Sequence, residues 1–139
     1  MKILIVEDDN FLETLVARKF VSAGVEVIGV ANGKDAIGEM EKERPDVVLL
    51  DVMMPGIDGF EVLKKVMENP KIAHIPIIVF SNFSEDEKIK EAKNLGARDY
   101  LIKSNFTLDE LLIKIKDILM QSPDAETRDI DTFFRNLTK

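Results

Sequence analysis

Apolar residues arrive along this chain in two alternating rhythms. Short unbroken runs, KILIV (2–6), VEVIGV (25–30), DVVLL (46–50), PIIVF (76–80) and YLI (100–102), are rich in β-branched residues and have the length of strands buried on both faces. Between them the apolar positions fall at helical spacing: Leu12, Leu15, Val16 and Phe20; Ala36, Ile37 and Met40; Phe60, Leu63 and Met67; Ile89 and Ala92. After the last run come Leu108, Leu111, Leu112, Ile115 and Leu119. Turn formers separate the two rhythms at Gly24, Asn32-Gly33, Arg44-Pro45, Asn69-Pro70 and Gly96. Strict strand–helix alternation predicts parallel strands joined by right-handed crossovers, hence an open five-stranded α/β sheet, doubly wound, with helices on both faces.

Composition narrows the function classes. With 139 residues, 45% of them hydrophobic, the chain has enough apolar surface for one sizeable core. Its net charge of −7 argues against a nucleic-acid face, and the lack of cysteine removes disulfides and thiol catalysis, which suits a cytoplasmic location. MKILIVEDD is too short an apolar start for a signal peptide, and no segment approaches the roughly 20 apolar residues of a membrane span.

In a sheet of this kind ligands bind beyond the carboxyl ends of the strands. Those ends carry Glu7-Asp8-Asp9-Asn10, Asp51, Ser81 and Lys103, all on one edge. Converging carboxylates repel one another and either take up protons or recruit a cation. Oxygen ligands with neither His nor Cys favour a hard ion such as Mg²⁺. Asp51 then suits a nucleophile in phosphoryl transfer, with Lys103 and the Ser81 hydroxyl to hold the transferred oxygens. Asp9 and Asn10 suit helix capping better than metal ligation, Asp58 is placed to cap the following helix, and Pro55-Gly56 turns the chain away from the edge. The single histidine, His74, falls at the opposite edge, so the chain has no histidine phosphodonor of its own.

With the acidic pair Glu7-Asp8, DVMMPGIDG around Asp51, Ser81, and GARDYLIK with Tyr100 and Lys103, the chain resembles the receiver domain of bacterial two-component response regulators from about Lys2 to Met120. The resemblance implies a flavodoxin-like fold and a Mg²⁺-dependent transfer of phosphate from a histidine kinase or phosphotransfer protein to Asp51. It further implies Asp8 as a direct Mg²⁺ ligand, Glu7 as a water-mediated one, the Met53 carbonyl as a backbone ligand, and Ser81 with Tyr100 as a switch pair. On that reading Ser81 moves toward phosphorylated Asp51 and vacates space into which Tyr100 turns. The surface of the fourth helix, fifth strand and fifth helix then changes, and Lys88, Lys90 and Lys93 interleaved with Glu85, Asp86, Glu87 and Glu91 offer ion pairs to a partner or a second copy. Two positions depart from the family pattern. Ser104 follows Lys103 where a cis proline is usual, and a cis bond without proline costs about 2.5–4 kcal/mol, so the sequence leaves this bond open between cis and trans and the lysine's reach is at issue. Asn82 follows Ser81 where a small residue is common; its amide would restrict access or hold a water.

One receiver domain over 1–121 is expected, followed by a C-terminal extension over 122–139 that is too short for an output domain. The extension has a Ser122-Pro123-Asp124 start and Ile130, Phe133, Phe134 and Leu137 on one face of an amphipathic helix. Competing functions use the same acids. A Mg²⁺-dependent phosphohydrolase with an aspartyl-phosphate intermediate is one; phosphatases of the haloacid-dehalogenase type usually carry a second Asp two residues after the nucleophile, where this chain has Met53. A flavin-binding protein would need a phosphate loop that the acids after the first strand would repel. A receiver-like scaffold that is never phosphorylated is the last, and the intact acid–lysine set argues against it.

Overall fold

The computed structural model describes residues 1–22, 24–53 and 58–120. Five parallel strands alternate with five helices: β1 (Lys2–Val6), α1 (Asn10–Ser22), β2 (Glu26–Val30), α2 (Gly33–Glu43), β3 (Val47–Leu50), α3 (Gly59–Met67), β4 (Ile77–Ser81), α4 (Asp86–Asn94), β5 (Asp99–Ile102) and α5 (Leu108–Met120). A short 3₁₀ turn, Lys103–Asn105, links β5 to α5. The strand order is β2-β1-β3-β4-β5, the open doubly wound sheet that the alternation predicts. Ser81 closes β4 rather than following it. The turn expected at Pro55-Gly56 and the helix expected over 122–139 lie outside the described residues.

Successive strand residues point to opposite faces, and the sheet divides the core accordingly. Ile3, Ile5, Val47, Leu49, Ile78, Phe80 and Leu101 pack with Val16 and Phe20 of α1 and with Leu111, Leu112, Ile115 and Ile118 of α5. Leu4, Val6, Val48, Leu50, Ile77, Val79 and Tyr100 pack on the other side with Ala36 and Met40 of α2, Val62, Leu63 and Val66 of α3, and Ala92 of α4. The central strands β1, β3 and β4 are buried on both faces, as their apolar runs require. β2 is not: it lies at the sheet edge, with Glu26 and Gly29 exposed and the intervening residues half-buried. Two positions of the helical stripes also face outward, Leu15 of α1 and Met67 of α3. Both sit at the margin of a stripe whose centre, Val16 in one helix and Leu63 with Val66 in the other, fills the contact with the sheet.

The segment after β3 re-enters a helix at a point of close approach. Asp58 caps α3 by accepting the Phe60 N–H at 2.9 Å, as expected from its position. The next residue must be glycine for steric reasons, because a Cβ on Gly59 would stand 2.5 Å from the Val52 Cα and 2.8 Å from its Cγ1. Gly59→Ala is therefore expected to destabilise the fold by about 1–3 kcal/mol, the usual cost of overpacking. Urea unfolding at fixed pH measures it; an unchanged midpoint would show that α3 can retreat from β3 without cost.

Candidate functional site

The pleat that divides the core also sorts the reactive side chains. Glu7 follows Ile5 by two residues, Asp51 follows Leu49, and Lys103 follows Leu101, so each extends the row that faces α1 and α5. The ladder runs on past the strand ends to hold two of them. Glu7 N–H donates to the Val30 carbonyl at 3.0 Å, and Asp51 N–H donates to the Val6 carbonyl at 2.9 Å. These acids stand where β1 and β3 adjoin, at which point the chain order reverses and α/β sheets open a crevice.

Lys103 bridges the two acids. Its Nζ lies 2.6 Å from Glu7 Oε2 and 2.8 Å from Asp51 Oδ2, and 5.9 Å from the centre of the Phe80 ring. Both carboxylates are only 5% exposed, which makes the ammonium necessary: a buried acid without a counter-charge costs several kcal/mol. The remaining oxygens take backbone donors, Asp51 Oδ1 from Met53 N–H at 2.9 Å and Glu7 Oε1 from Asp9 N–H at 3.1 Å. Asp8 is exposed beside them, and Glu7, Asp8 and Asp51 each bring a carboxylate oxygen within 4.8 Å of the others, a spacing suited to one hard cation. Asp9, the fourth acid considered, caps α1 by accepting the Leu12 N–H at 3.2 Å.

Burial pushes the Glu7 carboxyl up to about 7, against the downward pull of the Lys103 and Asp9 hydrogen bonds; the nearby Asp51 charge adds to the rise. Burial acts the opposite way on Lys103, but its hydrogen bonds to Asp51 and Glu7 outweigh it and hold the ammonium above its ordinary value.

Ser81 and Tyr100 belong to the other face, the one that packs on α2, α3 and α4. Ser81 is fully buried and its Oγ accepts the Phe83 N–H at 3.3 Å. Tyr100 is already turned inward, only 7% exposed, and its hydroxyl donates to the Phe83 carbonyl. This differs from the expectation that it turns in only after Ser81 moves. A buried hydroxyl needs an acceptor, and the loop after β4 supplies a backbone one that no side-chain pattern in the sequence could announce. Burial raises the Tyr100 hydroxyl's pKa, the Ser81 hydroxyl opposes this, and the Asp51 charge reinforces it.

Both unusual neighbours of the site find a use in each other. The Lys103–Ser104 bond is trans, and the lysine reaches both acids all the same. Ser104 N–H donates to Asn82 Oδ1 at 3.1 Å, tying the loop after β5 to the loop after β4. Farther out, the α4 charges pair within the chain: Lys88 with Glu91 at 3.2 Å and Lys93 with Asp99 at 3.8 Å, while the Lys88 ammonium sits 5.2 Å from the Phe60 ring centre. His74 is exposed in the turn before β4, at the opposite edge. No helix among the described residues is long and apolar enough to cross a membrane.

The family model of the response regulator receiver domain matches residues 3–116. Sporulation initiation phosphotransferase F of Bacillus subtilis is 37% identical over 118 residues, which are 85% of this chain and 93% of that protein. The alkaline phosphatase synthesis transcriptional regulatory protein PhoP of the same organism is 34% identical over 89% of this chain, which spans only 50% of its length. Among solved structures, the Vibrio cholerae chemotaxis protein CheY4 superposes with a TM-score of 0.77 at 32% identity, covering 84% of this chain and 97% of its own.

The raised Glu7 has a definite sign. Between its ordinary value of 4.5 and about 7 the folded protein holds a proton that the unfolded chain has released, so this group's contribution to stability declines as pH rises through that window and is level above it. Lys103 acts later, its contribution persisting until pH climbs past its ordinary value of 10.5. In chelator, the stability of Glu7→Gln relative to the wild type is expected to increase between about pH 5 and about pH 8. Urea midpoints of the two proteins at both pH values provide the check, and parallel curves would show that Glu7 is not held protonated by burial.

Proposed function

Because the chain belongs to the receiver-domain family of two-component response regulators, whose members are characteristically phosphorylated on aspartate, we propose that Asp51 accepts the phosphoryl group. The observation that carries this reading is the Lys103 ammonium held at 2.6 and 2.8 Å from two buried acids, with Asp8 exposed alongside. In the transfer an Asp51 carboxylate oxygen attacks phosphorus, a new P–O bond forms, and the bond from phosphorus to the donor breaks with its electron pair leaving on the donor. Lys103, already charged and already at Asp51, turns from carboxylate to phosphoryl oxygens and offsets the charge they bring.

Receiver domains bind Mg²⁺ at an acidic pocket, and the three-acid cluster of this chain fits that ion by its all-oxygen donor set. Asp8 and Asp51 would hold it directly, together with the Met53 carbonyl, and Glu7 through a water. When bound it supplies positive charge to the transferred group. The phosphodonor would be a histidine kinase or a phosphotransfer protein in the cytoplasm, and the protein would catalyse only its own phosphorylation and dephosphorylation. Ser81 would take a phosphoryl oxygen, drawing the loop that Phe83 shares with Tyr100 and so altering the α4–β5–α5 surface for a downstream protein or a second copy. One relative, 93% of whose length this chain covers, is named a phosphotransferase. That favours a relay, in which the phosphoryl group is handed on to another protein. A phosphohydrolase is the weaker reading, since Met53 gives the position two residues after Asp51 a thioether in place of a proton-transferring acid.

Acetyl phosphate with Mg²⁺ is expected to add one phosphoryl group to the wild type and none to Asp51→Asn, read by intact-mass spectrometry. An adduct persisting on the variant would move the nucleophile elsewhere, and rapid turnover without an adduct would favour the hydrolase. Asp8→Ala should weaken Mg²⁺ binding at least tenfold in an NMR titration, because it removes a charged oxygen ligand. Equal affinity in the two proteins would remove Asp8 from the metal site.

A further inference from the structure

Lys103 owes its position to more than the two acids it bridges. It begins a 3₁₀ turn of three residues, and a turn of that kind leaves its first backbone N–H groups without partners inside it. Ser104 N–H is one of these, and its acceptor comes from a different loop: Asn82 Oδ1, at 3.1 Å, 22 residues earlier in the chain. Only the carboxamide oxygen can accept an N–H, so this bond fixes which way the Asn82 amide is turned.

Asn82 is itself held from both sides. Ser81 before it is fully buried at the end of β4, in register with Ile102 of β5. Phe83 after it gives its N–H to the Ser81 Oγ and receives the Tyr100 hydroxyl on its carbonyl. The far side of the turn is closed by Phe106 N–H on the Lys103 carbonyl at 3.3 Å. The loop after β4 is thus anchored at both neighbours of Asn82, and from that anchored point Asn82 reaches across to the residue that follows Lys103.

We propose that Asn82 is a positioning residue for Lys103: its side chain caps the turn from the adjacent loop and sets where the ammonium stands relative to Asp51. Asn82 contributes no charge to the transfer and touches neither reacting atom; its effect passes through the Ser104 backbone. The same bond makes the two loops move as one, so that a displacement of Ser81 carries Lys103 with it. This inference rests on the reading of Asp51 and Lys103 as the phosphoryl-transfer pair, and part of its test is independent of that reading.

Four full-length proteins form a thermodynamic cycle: wild type, Asn82→Ala, Ser104→Pro, which has no N–H to donate, and the double variant. Two quantities are read, the maximal rate of adduct formation with acetyl phosphate and Mg²⁺, and the NMR resonances of the Ser104 amide and the Lys103 ammonium. Asn82→Ala is expected to slow the maximal rate about three- to tenfold, the scale of one lost hydrogen bond, while the half-saturating acetyl phosphate concentration stays the same. It should also shift the Lys103 ammonium signal and speed exchange of the Ser104 amide. On the Ser104→Pro background the same substitution should change neither the rate nor the ammonium signal. Equal slowing on both backgrounds overturns the proposal, because Asn82 would then act on access to the site. An unmoved ammonium signal in Asn82→Ala overturns it as well. If Ser104→Pro fails to fold, or if its NMR spectrum shows that the bond after Lys103 has turned cis, the Asn82→Ala resonances alone decide. A wild type that forms no adduct would defeat the reading of Asp51, whereas the ammonium and amide signals would still report on Asn82.

Discussion

The structure depends on one ammonium group placed between two acids that the sheet would otherwise expel. Glu7 and Asp51 are both buried, both negative when ionised, and side by side on adjacent strands. Left to themselves their like charges would drive the strand ends apart. Lys103 arrives from β5, the far edge of the sheet, to within 2.8 Å of both. This is a contact of very long sequence separation, and it makes the site a product of the whole fold. The sheet must close in its full order before the acids have their counter-charge.

The pleat does the rest of the arranging. Strand alternation carries Glu7, Asp51 and Lys103 out on the α1/α5 face, continuing rows that begin as Ile3-Ile5, Val47-Leu49 and Leu101. It carries Tyr100 onto the other face, among the residues of α2, α3 and α4, and brings Ser81 to it. The charged cluster and the hydroxyl pair thus belong to opposite sides of one sheet, meeting only at its carboxyl edge. The loops that bridge them do so with backbone groups: the Phe83 carbonyl for Tyr100 and the Ser104 N–H for Asn82.

Much of this was legible in the sequence because it rests on periodicity. Apolar runs separated by helical stripes specify five parallel strands, and ligand sites in such sheets follow strand ends, which picks out Glu7, Asp8, Asp51, Ser81 and Lys103 directly. Asp58 as a cap could be read for the same local reason. What escaped depends on the third dimension. That β2 is an edge strand with half-buried residues follows from the strand order, which alternation alone leaves open. Leu15 and Met67 satisfy the helical spacing yet sit at stripe margins, and only the tilt of each helix on the sheet decides which margin is covered. The inward Tyr100 and the Asn82–Ser104 bond each need a backbone partner, and backbone atoms carry no letter in a sequence. The departure at Ser104 puts the lysine's reach at issue; the turn of which Ser104 is the middle residue delivers the lysine with the Lys103–Ser104 bond trans.

The division of the core by the sheet has a consequence for engineering. Side chains that support the charged trio, such as Phe20, Leu111 and Ile115, share no cluster with those that support Tyr100, such as Met40, Leu63 and Ala92. Changes distant from one another and without shared partners combine nearly additively. The surroundings of the charged trio and those of Tyr100 can therefore be altered by repacking separate hydrophobic layers, which meet at the backbone of the central strands.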